Sequence, residues 1–457
     1  MSLPRYAAYK DSGVPWLGAV PSHWQVQRLK YVCTVFPSNV DKHSRDGEPA
    51  VQLCNYTDVY YNEKITSTMP FMEATASEDQ VSKFTLKAGD TIITKDSETA
   101  DDIAIAAYVP EDLPGVVCGY HLSMVRPHPG TVGAFVKRLF DSGYAKARFE
   151  VAANGLTRVG LGQYSLDNVE LPFPPQEEQT AIAAFLDRET TKIDALIAEQ
   201  EKLIALLAEK RQATISHAVT RGLDPDAPMK DSGVAWLGEV PAHWKVAALK
   251  RLWSVTDCKH VTAEFVDEGY PLASIREVQS RYISLHGAKR TTPFFYEQLI
   301  DGGRKPMPGD LIFSRNATVG EVAQVHADHP LFAMGQDVCL LRRLSGDASS
   351  DFMQLVLRSG VVTEQLKNIM VGSTFKRVNV EEIRDLQVPM PPPNEQAKIA
   401  AFVVEKGRSL DILEAEAVRA VSLLKERRSA LIAAAVTGKI DARGEVPQPD
   451  QLELKIA

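Results

Sequence analysis

Cysteine is scarce in this chain. It has five in 457 residues, at Cys33, Cys54, Cys118, Cys258 and Cys339. An odd number without CxxC spacing excludes a disulfide framework or a zinc ribbon, and reads as reduced thiols in a cytoplasmic setting. No apolar run approaches the ~20 residues of a membrane span. The opening MSLPRYAAYKD lacks the apolar stretch of a signal peptide, so no membrane partner is expected. Basic charge is short as well. Lys and Arg total 51 against 59 Asp and Glu, a formal net charge of −8, whereas nucleic-acid binders usually carry a basic footprint. A DNA-facing surface would have to be local or completed by a partner.

Catalytic signatures are missing too. There is no GxxxxGK[ST] phosphate loop, no glycine-rich dinucleotide or S-adenosylmethionine fingerprint, and no HExxH or GxSxG. The [DNS]PP[YFW] tetrapeptide of amino-methyltransferases is absent. Pro449-Asp450 with Glu453 and Lys455 imitates a PD…ExK nuclease, but only two residues separate its carboxylates, in a polar tail. Cys258-Lys259-His260 lacks further metal ligands. His23 and His243 each sit in PxHW at the entry to a strand, where a ring hydrogen-bonded at a turn is the expected role. We therefore expect no catalytic residue, metal site or cofactor in this chain.

What the chain does have is a repeat. KDSGVPWLGAVPSHWQVQRLK, Lys10 to Lys30, returns as KDSGVAWLGEVPAHWKVAALK at Lys230 to Lys250. Gly89-Asp90 matches Gly309-Asp310, and PPQEEQ from Pro174 matches PPPNEQ from Pro391. Solenoid repeats run to roughly 20–50 residues, so a period this long means a duplicated domain. Two copies of one module suggest a pseudo-two-fold axis and a target with two halves. Each half opens with a mixed α/β stretch of short apolar runs, such as Thr91–Thr94, Val116–Cys118, Leu311–Phe313 and Val338–Leu341, separated by Gly-Asp and Pro-Gly turns. Each then meets a proline-rich stop.

Long helices are expected after these stops. Apolar residues recur at Ile182, Leu186, Ile193, Leu196, Leu203 and Leu207, and again at Ile399, Val403, Leu410, Leu413, Val421, Leu424 and Leu431. These heptad-like series predict helices of ~40 residues, or ~60 Å, ending at Gly222 and Gly438. The natural solution is an antiparallel pair. The expected boundaries are 1–172 and 223–389 for the modules, 173–222 and 390–440 for the helical regions, and 441–457 for a disordered tail.

The repeated KDSGVxWLGxVPxHW, the Gly-Asp strand followed by Thr94-Lys95-Asp96 or Ser314-Arg315-Asn316, and the PPxxEQ helix entry together resemble the specificity subunit of type I restriction–modification enzymes. The resemblance spans residues ~10–440. It implies an α+β fold: two pseudo-symmetric α/β target-recognition domains separated by two long antiparallel coiled-coil helices. It also implies double-stranded DNA with a bipartite site as target, each domain reading one half and the helices fixing the unread spacer. Two modification (methyltransferase) subunits and the restriction (endonuclease/translocase) subunits would be partners. S-adenosylmethionine, ATP and magnesium would belong to those partners.

Base and phosphate contacts need Arg, Lys, Asn, Gln, Ser or Thr on presented loops. The first candidates follow the Gly-Asp strands: Lys95, Asp96 and Ser97, with Arg315 and Asn316 in the second half. The second set is Thr157 and Arg158 in GLTRVG, matched by Thr374, Lys376 and Arg377 in GSTFKRVN. Arg276 is a further candidate, with Tyr56, Thr57, Arg281, Lys289 and Arg290 behind it. The plain alternative for all of them is a solvated turn. Trp16 and Trp236 are candidates for partner docking, and Trp24 and Trp244 for packing against the helices. Two other functions stay open: a self-contained modification or nuclease enzyme, and a two-headed coiled-coil scaffold that binds only protein.

Overall fold

The computed structural model describes residues 4–370 and 377–445. The chain forms two compact units, Met1–Gln200 with Arg419–Ala457, and Glu201–Val418. The two long helices, Gln176–Arg221 and Pro393–Val436, each begin in one unit and end in the other. Among the described residues no helix is long and apolar enough to cross a membrane.

In the first unit, a four-stranded antiparallel sheet runs in the order Cys33–Pro37, Leu122–Pro127, Thr91–Thr94, Ala106–Tyr108. Thr91-Ile-Ile-Thr is buried along its whole length, as suits β-branched residues in a strand covered on both faces. A second sheet pairs Ala50–Cys54 in parallel with Val116–Cys118 and antiparallel with Met72–Thr75. The second unit repeats the plan with Trp253–Asp257, Val338–Arg343, Leu311–Ser314 and Val322–Gln324 in one sheet. Its other sheet pairs Tyr270–Ala273 in parallel with Ala333–Met334. The runs expected as strands are strands.

Both proline stops become short strands that lead into the helices. Glu170–Phe173 pairs with Gln25–Arg28, and Gln387–Met390 with Lys245–Ala248. Pro393 opens its helix, where a missing N–H costs nothing. At the far ends Gly222 and Gly438 adopt φ of 75° and 70°, the left-handed stop that glycine allows. At 46 and 44 residues, the helices match their expected length.

Within each unit the helix segments run antiparallel. In the first, Arg428 pairs with Asp194 at 2.8 Å, while Ile432, Ala435 and Val436 share a core with Ile182, Phe185 and Leu186. In the second, Arg211 pairs with Asp411, while Ala218 and Val219 share a core with Ile399 and Val403. The seam is incomplete. Leu196, Leu203 and Leu413, expected to be buried in it, are exposed. Residues Asp441–Arg443, expected in the disordered tail, fold back on the first unit: Asp441 N–H donates to the Pro4 carbonyl and Ala442 is buried. Residues 446–457, including the PD…ExK imitation, lie outside the described residues.

The repeated sequence motifs are explained by these cores. Glu178, the second glutamate of PPQEEQ, accepts from Trp24 Nε1 (3.0 Å) and Tyr6 Oη (2.5 Å) and bonds His23 Nε2 (2.9 Å). Glu395 likewise takes Trp244 Nε1 (2.9 Å) and His243 Nε2 (2.7 Å). Both tryptophans are fully buried. The following glutamine ties loop to helix: Gln179 Oε1 accepts from Val132 N–H and Gln396 Oε1 from Ser349 N–H, each at 2.8 Å. The Gly-Asp turns are locked by Arg126 on Asp90 and Arg342 on Asp310. The recurring histidines are thus structural.

Candidate nucleic-acid interface

The segment leaving the Thr91–Thr94 strand carries Lys95, Asp96 and Ser97. Asp96 and Ser97 pair antiparallel with Gly160 and Val159, and Leu161 N–H donates to the Lys95 carbonyl at 2.8 Å. The two candidate loops of the first half, far apart in sequence, are therefore one structure. A third segment joins them. Gly119 N–H donates to the Cys54 carbonyl (2.9 Å) and Lys95 N–H to the His121 carbonyl (3.1 Å). This brings the helix turn after Cys54, with Tyr56 and Thr57, beside the other two. Tyr56 interacts there with Ser97 and feels the charge of Arg158; burial raises its phenol above the ordinary value.

Asp96 is the local electrostatic hub. Burial opposes its ionisation, but hydrogen bonds from Lys95 Nζ (2.7 Å) and His121 Nδ1 (2.9 Å) hold the carboxyl below its usual range. Lys95 Nζ also stands 4.8 Å from the Tyr120 ring centroid. Thr157, Arg158 and Tyr120 face solvent, whereas Ser97 is buried.

The second unit builds the same junction from different residues. Arg315 N–H donates to the Asp337 carbonyl (2.9 Å), Val378 N–H to the Arg315 carbonyl (3.0 Å), and Asn316 bridges to Arg377. Gly335 N–H donates to the Ala273 carbonyl at 2.8 Å. Glu277 Oε2 accepts from Ser274 N–H at 2.8 Å, as Asp58 Oδ2 does from Asn55 N–H at 2.7 Å. Arg276 thereby occupies the position of Thr57. Arg276 and Arg377 are exposed and Asn316 is half-buried. The Arg315 guanidinium is buried, with Nη2 2.8 Å from Asp257 Oδ1 in an ion pair that lacks hydrogen-bond alignment. Thr374 and Lys376 lie outside the described residues. Of the remaining candidates, Arg281 pairs with Asp351, Lys289 covers the Phe265 ring, and Arg290 donates to the Gly269 carbonyl.

Sequence reasoning passed over the third segment, Gly119-Tyr120-His121 and its counterpart Gly335-Gln336-Asp337. A signal existed in the two copies: glycine, a variable residue, a polar residue, then the start of a long buried strand. The assembled surface offers guanidinium, amide, phenol and hydroxyl groups. These can hydrogen-bond phosphates and base edges.

Trp16 and Trp236 lie outside this cluster, at the tips of hairpins Tyr9–Asp11/Ala19–Pro21 and Met229–Asp231/Glu239–Pro241. They are 64% and 43% exposed, while the neighbouring Leu17 and Leu237 are buried.

A model of the type I restriction modification DNA specificity domain matches residues 21–205 and 296–417. The chain is similar to the putative type I restriction enzyme MjaX specificity subunit of Methanocaldococcus jannaschii, at 23% identity over 402 residues, covering 84% of this chain and 87% of that protein. It is also similar to the type I restriction enzyme EcoKI specificity subunit of Escherichia coli K12, at 22% identity over 347 residues, covering 74% and 71%. Two solved structures share the fold. One, from work on the complex assembly and conformational transition of the type I R-M system, gives a TM-score of 0.65 at 18% identity, covering 93% of this chain and 99% of that one. The HsdS subunit from Thermoanaerobacter tengcongensis gives 0.51 at 17% identity, covering 93% and 98%. With the duplicated modules, the long helices and a family match over most of its length, this chain belongs to the type I restriction–modification DNA specificity family, as a specificity subunit.

Proposed function

We propose that this chain is the non-catalytic, cytoplasmic DNA-reading subunit of its complex. Each unit's three-segment junction reads one half of a split duplex site, and the long helices set the unread spacer. The observation that carries this reading is the repetition of one junction on one backbone plan with different exposed side chains. Phosphate and base contacts in the first half would come from Lys95, Asp96, Ser97, Thr157 and Arg158. In the second half they would come from Arg276, Arg315, Asn316, Thr374, Lys376 and Arg377. Of these, Ser97 and Arg315 are buried and would contribute indirectly, by holding the loops that present the others. Trp16 and Trp236, kept identical and exposed in both copies, are suited to dock two modification subunits, since exposed tryptophans are frequent interface anchors. Those subunits would bring S-adenosylmethionine, and the restriction subunits ATP and magnesium. Partner charge would offset the net −8 of this chain.

Co-expression with the modification subunit in a methylation-free host, followed by single-molecule sequencing for N6-methyladenine, tests the proposal. Methylation at one split, asymmetric motif is expected. A complex that forms yet methylates no motif would favour the protein-binding scaffold, and methylation by this chain alone would reveal an active site.

A further inference from the structure

The third segment of the junction has a property that the other two lack. Its backbone is fixed at both ends and its middle side chain is exposed. Gly119 and Gly335 are each bonded to the end of the parallel strand beside them; a side chain at Gly119 would press on backbone, and one at Gly335 would displace the Ser274 hydroxyl. A Cβ at Gly119 would lie 2.8 Å from the Cys54 carbonyl oxygen, and one at Gly335 would lie 2.1 Å from Ser274 Oγ. On the other side, the carbonyls of His121 and Asp337 receive the N–H groups of Lys95 and Arg315. Asp337 holds φ at 63°, a left-handed turn that fixes the direction of the chain.

Between these anchors stand Tyr120, 53% exposed, and Gln336, also exposed. The Tyr120 ring is flanked by Lys95 Nζ and by the His121 ring, with centroids 4.7 Å apart. Gln336 is exposed, and its amide makes no hydrogen bond among the described residues. A rigid backbone carrying an exposed, variable side chain on the flank of a polar cluster suits base readout, because precise placement separates one base edge from another. The exposed neighbours Arg158, Arg276 and Arg377 carry long, flexible side chains better suited to phosphate.

We propose that Tyr120 and Gln336 are the specificity-determining residues of the two units, and that Gln336 selects an adenine. A glutamine amide presents one acceptor and one donor in the spacing that matches adenine N6 and N7 in the major groove. The inference rests on the DNA-reading function proposed above and goes beyond it by assigning the reading position.

The test uses the full complex with the modification subunit. The wild-type chain, Gln336→Ala and Tyr120→Ala are compared by N6-methyladenine sequencing and by competition between matched and mismatched duplexes. Gln336→Ala should keep methylating but lose discrimination for adenine at one position of one half-site by about 5- to 150-fold, the range of one bidentate contact. Tyr120→Ala should relax one position in the other half-site only. Because both side chains are exposed, thermal unfolding should stay at the wild-type midpoint. Motifs unchanged in both variants, or both variants relaxing the same half-site, would overturn the assignment while leaving the DNA-reading function standing. A wild-type complex that methylates no motif would overturn that function, and this assignment with it.

Discussion

Replacing Glu178 and Glu395 by alanine, one at a time, uses the duplication as an internal control. The two glutamates share a sequence context and a tryptophan partner, but they differ in burial: the Glu178 side chain is 5% exposed and the Glu395 side chain 33%. Removing Glu178 strands two buried donors, Trp24 Nε1 and Tyr6 Oη, because Trp24 is 0% and Tyr6 6% exposed. The Tyr6 phenol is pushed above its ordinary range by burial and by Glu178, so it remains a donor. His23, at 40% exposure, finds water instead. Each stranded donor costs ~1–3 kcal/mol, so Glu178→Ala should cost ~2–6 kcal/mol. Glu395→Ala strands only Trp244 Nε1, at a site water can enter, and should cost ~1–2 kcal/mol. Adding Tyr6→Phe to Glu178→Ala removes one stranded donor and should recover ~1–3 kcal/mol. Urea unfolding followed by tryptophan fluorescence reads these differences as midpoint shifts at constant slope. Equal costs for the two alanine variants, or no relief from Tyr6→Phe, would refute the argument.

Three further outcomes are expected. Gly407 lies inside the second long helix, and a Cβ added there would meet nothing within 4 Å, so Gly407→Ala should stabilise by ~0.5–1 kcal/mol in thermal unfolding. Gly438→Ala should destabilise, because φ is 70° and the added carbon meets Pro21 Cδ at 2.3 Å. Arg158→Ala should weaken DNA binding across sequences and lower the salt slope of binding by about 1 in anisotropy titrations, whereas Arg315→Ala should leave the slope unchanged and lower stability. Burial works against ionisation of Glu63, but Lys137, Arg138 and Arg428 hold its carboxyl at about 2. Its folded value lies below its unfolded one, so its contribution is present above pH ~4.5 and is lost as pH falls toward 2. The carboxylate is 46% exposed, so screening should reduce that contribution from ~3 to ~1 kcal/mol; Glu63→Gln should flatten the acid limb of a stability–pH curve by that amount.

The duplication also shows where the two copies part company. In the first unit Glu63, Lys137, Arg138, Asp141, Asp187 and Arg428 form a continuous ion-pair network between sheet domain and helices. The matching positions of the second unit include Leu355 in place of Arg138 and Val404 in place of Asp187, and these line a cavity of about 680 Å³. Neither network nor cavity was legible beforehand, because each depends on side chains drawn from several separate segments.

Read alone, the sequence determined the duplication, the α+β class, the strand runs, the proline stops and the extent of both helices. The duplication shows as a repeated string and the class follows from the family resemblance; the others depend on local pattern, since periodicity, turn residues and helix breakers act within a few residues of themselves. It also marked Lys95–Ser97 and Thr157–Arg158 as loops of interest. Only the tertiary structure decided that these loops are one junction, that Arg315 turns inward to Asp257, and that Tyr120 and Gln336 each stand beside the junction of their own unit. Those outcomes are set by sheet register and crossover connections, which bring together residues far apart along the chain. The role of PPxxEQ was likewise hidden, since its glutamates are explained only by tryptophans some 150 residues earlier.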